Sequence, residues 1–202
     1  MISALTAGDV REDAQPAGPL ELRKARMSDI PALLDLINGY AARGIMLPRT
    51  ELEISESIRD FSVAISRGNL IGCGALHFYS PTVGEIRSLA VREAAKTCGV
   101  GRHVVETLIN EAAGYSLDAV FAFTYVADFF RKVGFHEVER GALPLKAWKD
   151  CLRCPKFQSC DEIAVLRVLK PENWLAAPPK WAPLTGTDEG SEIIVLPIIR
   201  KQ

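Results

Sequence analysis

Apolar residues recur along the first part of the chain with a spacing that changes from strand-like to helix-like. Leu20–Ala25 alternates in part and predicts a first strand, and the apolar positions from Ile30 to Ala41 follow the three- and four-residue spacing of a helix. Ser28 is placed to cap that helix and Gly44 to end it. A second short helix is predicted from about Thr50 to Asp60, because acidic residues in its first turn favour the helix dipole.

The middle of the chain predicts consecutive strands. Phe61–Ser66 and Leu70–Tyr79 flank a tight turn at Arg67–Asn69, which indicates a hairpin. Gly84–Val91 follows as a strand whose end is almost continuously apolar. This run of strands argues against a strictly alternating Rossmann pattern.

The remaining elements complete a mixed α/β (α+β) fold. A helical face begins at Val100. After it the pattern predicts a strand, a short helix and two further strands, at Ala119–Tyr125, Ala127–Val133, Phe135–Arg140 and Glu162–Leu169. The predicted order is therefore β-α-α-β-β-β-α-β-α-β-β.

The chain divides by composition into three parts. Residues 1–19 are small and polar and are expected to form a flexible leader. Residues 20–170 are expected to form the folded domain, with a cysteine-containing segment at 150–161, and residues 171–202 a C-terminal extension. The apolar run at 193–199 is too short to cross a membrane. It is expected to add a strand or to form an oligomer contact, and a homodimer is one such assembly.

Composition narrows the classes of function. The 202 residues are 48% hydrophobic and 24% charged, and a net charge of -1 gives no reason to expect nucleic acid or an anionic membrane as partner. No apolar run reaches the roughly 18 residues that span a bilayer, and the N-terminus lacks the pattern of a signal peptide. The five cysteines are then expected as reduced thiols of a cytoplasmic protein.

A strand, a glycine-containing loop and a helix carry the clearest chemistry. Gly99 and Gly101 remove side chains where the backbone must approach a ligand, and their N–H groups lie at a helix N-terminus that favours an anion such as a pyrophosphate. Lys96 and Arg102 add cationic contacts. The alternative is an ordinary turn that starts a helix, since short glycine motifs are weak signals. The third glycine of a Rossmann loop and the Gly-Lys-Ser/Thr of a P-loop are absent.

Two motifs resemble those of the GNAT acyltransferases. IRSLAV followed by KTCGVG resembles the central motif Arg/Gln-x-x-Gly-x-Gly/Ala, with Lys96 at its first position, and FFRKVGF resembles the short helix before the sixth strand. The resemblance implies a GNAT-type, mostly antiparallel central sheet flanked by helices, fourth and fifth strands that splay apart, and acetyl-CoA as co-substrate. The expected cofactor contacts are the backbone of Leu89, Ala90 and Val91 for the pantetheine arm, together with Lys96, Cys98, Gly99, Val100, Gly101, Arg102, Phe129 and Phe130.

A closer resemblance is to the short, kinase-less N-acetylglutamate synthases. It rests on GCGALH, GEIRSLAV, FAFTYVADFFRKVGF and LPLKAWKDCLRCPKF. It implies an amino-acid N-acetyltransferase that transfers acetyl from acetyl-CoA to the α-amino group of L-glutamate, the first step of arginine biosynthesis. The alternatives are a GNAT enzyme for another amine, such as glutamine, a polyamine or a protein N-terminus, or a module that senses acyl-CoA or a metal without turnover.

Candidate catalytic and substrate-binding residues lie around the fourth strand. Glu85 and Arg87 share one face, so Glu85 can take the proton of the amine and Arg87 can clamp a substrate carboxylate. A mutual surface ion pair is the alternative. The resemblance places Arg49 near the substrate, and Lys146 is a third candidate cation. For Arg49 and Lys146 a solvated surface charge is the competing interpretation.

The acid that would protonate the departing thiolate is the least defined group. Many GNAT enzymes have a tyrosine in the short helix after the fifth strand, and the matching residue here is Phe130, which donates no proton. Tyr125, at the end of the fifth strand, is the nearest replacement. The alternatives are that Tyr125 only packs at the strand end and that the thiolate departs unassisted into solvent.

Three clustered cysteines are the other conspicuous feature. Cys151, Cys154 and Cys160 have a spacing that can bind zinc or nucleate an iron–sulfur site. A fourth ligand is not evident and would have to come from Asp161, Cys98 or His136. Reduced thiols near the substrate, or a disulfide under oxidation, are the other interpretations.

Overall fold

The computed structural model describes residues 18–143, 152 and 154–176. Nearly all of the predicted leader and the apolar run at 193–199 lie outside these described residues. The described elements follow the order that the hydrophobic pattern predicts, and one further helix comes after the last strand.

Seven strands form one mixed sheet. They are β1 Leu20–Lys24, β2 Phe61–Ser66, β3 Asn69–Phe78, β4 Val83–Val91, β5 Ala119–Thr124, β6 His136–Glu137 and β7 Ile163–Val168. Their order across the sheet is β1-β2-β3-β4-β5-β7-β6. Every neighbouring pair is antiparallel except β4 and β5, which are parallel. The predicted mixed, mostly antiparallel sheet is therefore confirmed.

Helices cover both faces of the sheet. They are α1 Ile30–Ala41, α2 Glu51–Glu56, α3 Val100–Gly114, α4 Ala127–Lys132 and α5 Pro171–Ala176. Val63 of β2 packs in the core under α1, and the next residue, Ala64, packs under α3, because successive strand side chains point to opposite faces. Among the described residues no helix is long and apolar enough to span a membrane.

Helix α1 does not begin as the sequence predicts. A 3-10 turn, Met27–Asp29, precedes it, and Ser28 makes no cap. The Asp29 carboxylate instead accepts two hydrogen bonds from the Arg23 guanidinium, at 2.7 and 3.0 Å, and one from the Arg26 backbone N–H at 2.7 Å. A bidentate charge-assisted pair is stronger than a serine cap, so it fixes the entry to the helix.

Two other predicted elements are shorter than expected. Helix α2 begins with a capping box between Thr50 and Glu53 but ends at Glu56, where the Ser57 hydroxyl donates to the Glu53 carbonyl (2.6 Å) and a 3-10 turn follows. Strand β6 is only two residues long, since it pairs with β7 at His136 and Glu137 alone.

Strand β4 carries the main irregularity of the sheet. Arg87 pairs with Ala75 and Ala90 with Cys73, so Ser88 and Leu89 together face a single residue of β3. Ser88 has a φ of 53°, in the left-handed region. Such a bulge bends a strand. The ladder between β4 and β5 is confined to three residues of each strand, ending at Glu85 and Phe121, so the two strands splay apart as predicted.

The first residues of the predicted C-terminal extension form α5. Asn173 donates to the Asp118 carboxylate (2.8 Å), and Trp174 packs on a core cluster that includes Phe121. This part of the extension therefore contacts the folded domain, and residues 177–202 lie outside the described part of the chain.

Replacing Leu108 with alanine should test the core under α3. Leu108 has no solvent exposure, and we expect its loss to lower the free energy of unfolding by about 2–5 kcal/mol. Leu52 of α2 is 68% exposed and is the matched control, with an expected change under ~0.5 kcal/mol. Urea unfolding followed by circular dichroism measures both, and equal effects would contradict this packing.

The Asp29 carboxylate should give stability a dependence on pH. The hydrogen bonds from Arg23 hold the pKa of Asp29 below its ordinary value of 3.8. A lowered pKa contributes stability above the unfolded pKa, and this contribution is lost as the pH falls through the folded pKa. Asp29→Asn should therefore lower the free energy of unfolding near neutral pH and converge with wild type in strong acid. Urea unfolding across the pH range measures this, with Asp35→Asn as the control, because the pair of Asp35 with Arg92 is exposed and contributes little. A difference that does not shrink in acid would argue against the ion pair.

Candidate active site

A cleft of about 400 Å³ lies where β4 and β5 diverge. Its walls are the loop after α1, the second half of β4, the end of β5 and the segment before β7. Eight of the predicted site residues line it: Arg49, Glu85, Arg87, Leu89, Tyr125, Phe130, Cys154 and Cys160. Lys146 and Cys151 lie outside the described residues.

Glu85 is a buried carboxylate at the point where the strands part. Its exposed fraction is 8%, and it accepts a hydrogen bond from the Tyr79 hydroxyl at 3.0 Å. It occupies the last position at which β4 pairs with β5, so its backbone is held between β3 and β5. A carboxylate fixed in this way can accept a proton from an amine that enters the cleft.

Arg87 lies two residues further along the same face. Its Nη2 is 3.7 Å from Asp60 Oδ2, and the same carboxylate oxygen is 2.7 Å from His77 Nδ1. Asp60 therefore balances part of the Arg87 charge. Sequence reasoning missed Asp60 because it lies on the 3-10 turn before β2, far from β4 in the chain.

Arg49 reaches the cleft from the loop between α1 and α2. Asn38 of α1 holds its backbone on both sides, by donating to the Arg49 carbonyl and accepting from the Arg49 N–H, each at 2.9 Å. This pair of hydrogen bonds fixes the loop at the rim of the cleft. The structure thus brings Arg49 and Arg87 to one cleft.

Tyr125 and Phe130 occupy the end of the cleft beside β5. The Tyr125 hydroxyl accepts a hydrogen bond from Lys156 Nζ at 3.2 Å, and burial raises the pKa of Tyr125 above its ordinary value. A tyrosine hydroxyl is protonated near neutral pH and can donate a hydrogen bond. Phe130 is buried between the rings of Phe129 and Phe135 and serves packing.

Three charged cleft residues were not predicted from the sequence. They are Arg140, Lys156 and Glu162, and each lies in the segment between β6 and β7. Burial raises the pKa of Glu162. The only signal in the sequence was a charged residue next to a strand end, which is common on any protein surface.

The glycine loop forms the N-terminus of α3 as predicted. Gly99 lies at the N-cap with a φ of 71°. A Cβ on Gly101 would contact the Phe129 ring and the Val91 side chain at 3.5 Å, so the first turn of α3 lies against the end of β4. The backbone N–H groups of a first helical turn have no partner within the helix and favour an anion.

The predicted cationic contacts of this loop have acidic neighbours. Lys96 Nζ is 3.0 Å from the Glu93 carboxylate, and Arg102 Nε is 2.7 Å from Glu106. Both side chains are largely exposed, so either can turn toward a ligand at small cost. Cys98 is half-buried against the core cluster under α3.

The backbone at the end of β4 is only partly available for a ligand. The Val91 carbonyl accepts a hydrogen bond from the Tyr40 hydroxyl at 2.5 Å, which corrects the expectation that this group is free. Ala90 is buried and pairs with β3, whereas Leu89 lines the cleft. Of the three residues, Leu89 is therefore the one that faces the cleft.

The cysteine cluster gives no metal site in the part of the chain that the structure describes. No group of three or more His, Cys, Asp and Glu side chains there is arranged to hold an ion. Cys154 and Cys160 are free thiols at the cleft. Zinc is thus unsupported by the described residues.

The chain is similar to known acetyltransferases. The acetyltransferase (GNAT) family profile matches residues 34–138. An uncharacterised N-acetyltransferase of Chlorobaculum tepidum is 42% identical over 76% of this chain and 99% of its own length, and an amino-acid acetyltransferase of Mycobacterium tuberculosis is 37% identical over 58% and 69%.

A solved structure is similar as well. N-acetylglutamate synthase from Neisseria gonorrhoeae, complexed with coenzyme A and N-acetyl-glutamate, superposes with a TM-score of 0.69 at 29% identity. The match covers 76% of this chain but 36% of that synthase, so the chain spans about a third of the longer protein.

Gly99→Ala tests the loop at the start of α3. An alanine in the left-handed region is strained, and we expect the free energy of unfolding to fall by ~1 kcal/mol and CoA to bind more weakly. Gly114, at the other end of α3 with open space around it, is the control, and Gly114→Ala should be neutral or stabilising. Urea unfolding and calorimetric titration with CoA measure both effects. Unchanged CoA affinity in Gly99→Ala would remove the loop from the binding site.

Proposed function

Because the chain belongs to the GNAT acetyltransferase family, we propose that it transfers the acetyl group of acetyl-CoA to the α-amino group of L-glutamate. The observation that carries the proposal is one cleft that holds a buried carboxylate, Glu85, beside two arginines, Arg49 and Arg87. The names of the mycobacterial and gonococcal relatives support an amino acid as acceptor and, for the latter, coenzyme A as ligand.

The residues present fit a bound acetyl-CoA. The first turn of α3 offers backbone donors for the pyrophosphate, and Gly99 and Gly101 leave its approach open. The gap between β4 and β5 leaves room for the pantetheine arm beside Leu89. Acetyl-CoA supplies an activated thioester carbonyl, and a backbone N–H at the β4 bulge would polarise its oxygen.

Glu85 is proposed as the base. An amino acid arrives as an ammonium ion and must lose a proton before its nitrogen can attack a carbonyl. The Glu85 carboxylate is buried in the cleft and fixed by the Tyr79 hydroxyl, so it can accept that proton directly or through one water.

Tyr125 is proposed as the acid. Its hydroxyl is protonated near neutral pH, as a tyrosine hydroxyl ordinarily is, and it accepts a hydrogen bond from Lys156 Nζ. It can therefore donate its proton to the thiolate sulfur that departs. Arg49 and Arg87 are proposed to bind the carboxylate of the acceptor.

A second candidate substrate is a neutral amino acid such as glutamine. Glu162 favours it, because a carboxyl group in the cleft repels a second carboxylate and can accept from an amide N–H. Acetylation of an amino acid is therefore the broader part of the proposal. The choice of L-glutamate and a role in the arginine pathway are its more specific part.

Release of CoA from acetyl-CoA, measured with a thiol reagent, tests the function. We expect turnover with L-glutamate above that with L-glutamine, spermidine or a peptide N-terminus. Glu85→Gln should lower kcat by about 100-fold because the base is lost. Glu172→Gln, on the exposed surface of α5, is the matched control and should keep wild-type kcat. Absence of CoA release with every amino acid would falsify the proposal.

A further inference from the structure

Arg140 lies across the cleft from Arg49 and Arg87. The sheet places β5 between β4 and β7, and Arg140 follows the short strand β6, beyond β7. Its guanidinium nevertheless lines the same cleft. The cleft therefore has positive charge on the β4 side and again on the β7 side.

The Arg140 guanidinium is held by one of its three nitrogens. Nη2 contacts the Glu162 carbonyl oxygen, lies 3.0 Å from Cys160 Sγ and is 3.5 Å from the Cys160 carbonyl oxygen. The guanidinium carbon is 5.7 Å from the centre of the Phe123 ring. Across the described residues, Nε and Nη1 have no hydrogen-bond partner. The planar group is thus fixed in position with two nitrogens left to bind a ligand.

Two other cations of the cleft lie beside acidic side chains. Arg87 faces the Asp60 carboxylate, and Lys156 lies between the Tyr125 hydroxyl and the Asp161 carboxylate. Arg140 also interacts electrostatically with the Glu162 carboxyl, but its hydrogen bonds go to the Glu162 and Cys160 carbonyls and to Cys160 Sγ. A fixed guanidinium binds a carboxylate through two parallel hydrogen bonds.

The chemistry of an amino acid indicates which wall of the cleft each of its two ends binds. The α-amine and the α-carboxylate share one carbon atom, so they must bind neighbouring residues, and Glu85 and Arg87 are two positions apart on one face of β4. A side-chain carboxylate then extends away from β4 and toward the β7 wall.

We infer that Arg140 is the specificity-determining residue that binds the side-chain carboxylate of the acceptor amino acid. This inference rests on the proposed function and names the group that would select a dicarboxylic amino acid. A site built to pair with a charged group discriminates strongly against an analogue that lacks it.

Arg140→Gln tests the inference, because it removes the charge and keeps an amide donor for the Glu162 carbonyl. We expect the ratio of kcat/KM for L-glutamate over L-glutamine to fall by about 100-fold, mostly through KM for glutamate. Arg131→Gln is the matched control, since Arg131 is an exposed arginine of α4 paired with Asp128. It should leave the ratio unchanged. A melting curve for each variant verifies folding, and Arg140→Lys replaces Arg140→Gln if the latter is unfolded; it should lower the ratio less.

A binding measurement separates this inference from the proposed function. Calorimetric titration of the CoA-loaded protein with N-acetyl-L-glutamate and N-acetyl-L-glutamine needs no turnover. Wild type should prefer the diacid, and Arg140→Gln should lose that preference. If no amino acid is acetylated but this binding preference depends on Arg140, the proposed function fails and the inference stands. If wild type shows no preference for the diacid, or if the variant weakens both ligands equally, the inference is wrong.

Discussion

Strand β4 stops pairing with β5 at Glu85, and further along it Ser88 and Leu89 together face a single residue of β3, a bulge that bends the strand. Because β5 beyond Phe121 pairs only with β7, the sheet stays continuous on that side while a gap opens on the other. The gap becomes the cleft, and it leaves backbone and side chains of β4 facing a ligand. The site therefore depends on the short parallel ladder between β4 and β5 and on the bulge that follows it in β4.

Helices α1 and α3 pack on β4 and fix the position of this gap relative to the glycine loop at the start of α3. Tyr40 of α1 binds the Val91 carbonyl from one face, and Gly101 of α3 lies against the Val91 side chain from the other. The end of β4 is thus clamped between a buried hydroxyl and the first turn of a helix. A ligand that spans the loop and the cleft meets a surface whose parts are already fixed, which lowers the entropic cost of binding.

Much of the fold could be predicted from the sequence because its signals are local. The helical spacing of α1 and α3, the turn between β2 and β3, and the glycines before α3 are each readable within a few residues. The misplaced cap at Ser28 shows the limit. Arg23, on the preceding strand, binds the Asp29 carboxylate. This contact between two elements outweighs the local preference for serine at an N-cap.

The sequence by itself determined the fold class, the glycine loop at the start of α3, and the placement of Glu85 and Arg87 on one face of a strand, since each follows from periodicity or from a short motif. Only the tertiary structure decided what surrounds them. Asp60 contacts Arg87 because β2 folds back on β3. Arg140 contacts residues 160 and 162 because β7 inserts between β5 and β6. These neighbours are distant in the chain, so no spacing encodes them; strand order brings their charges into one cleft.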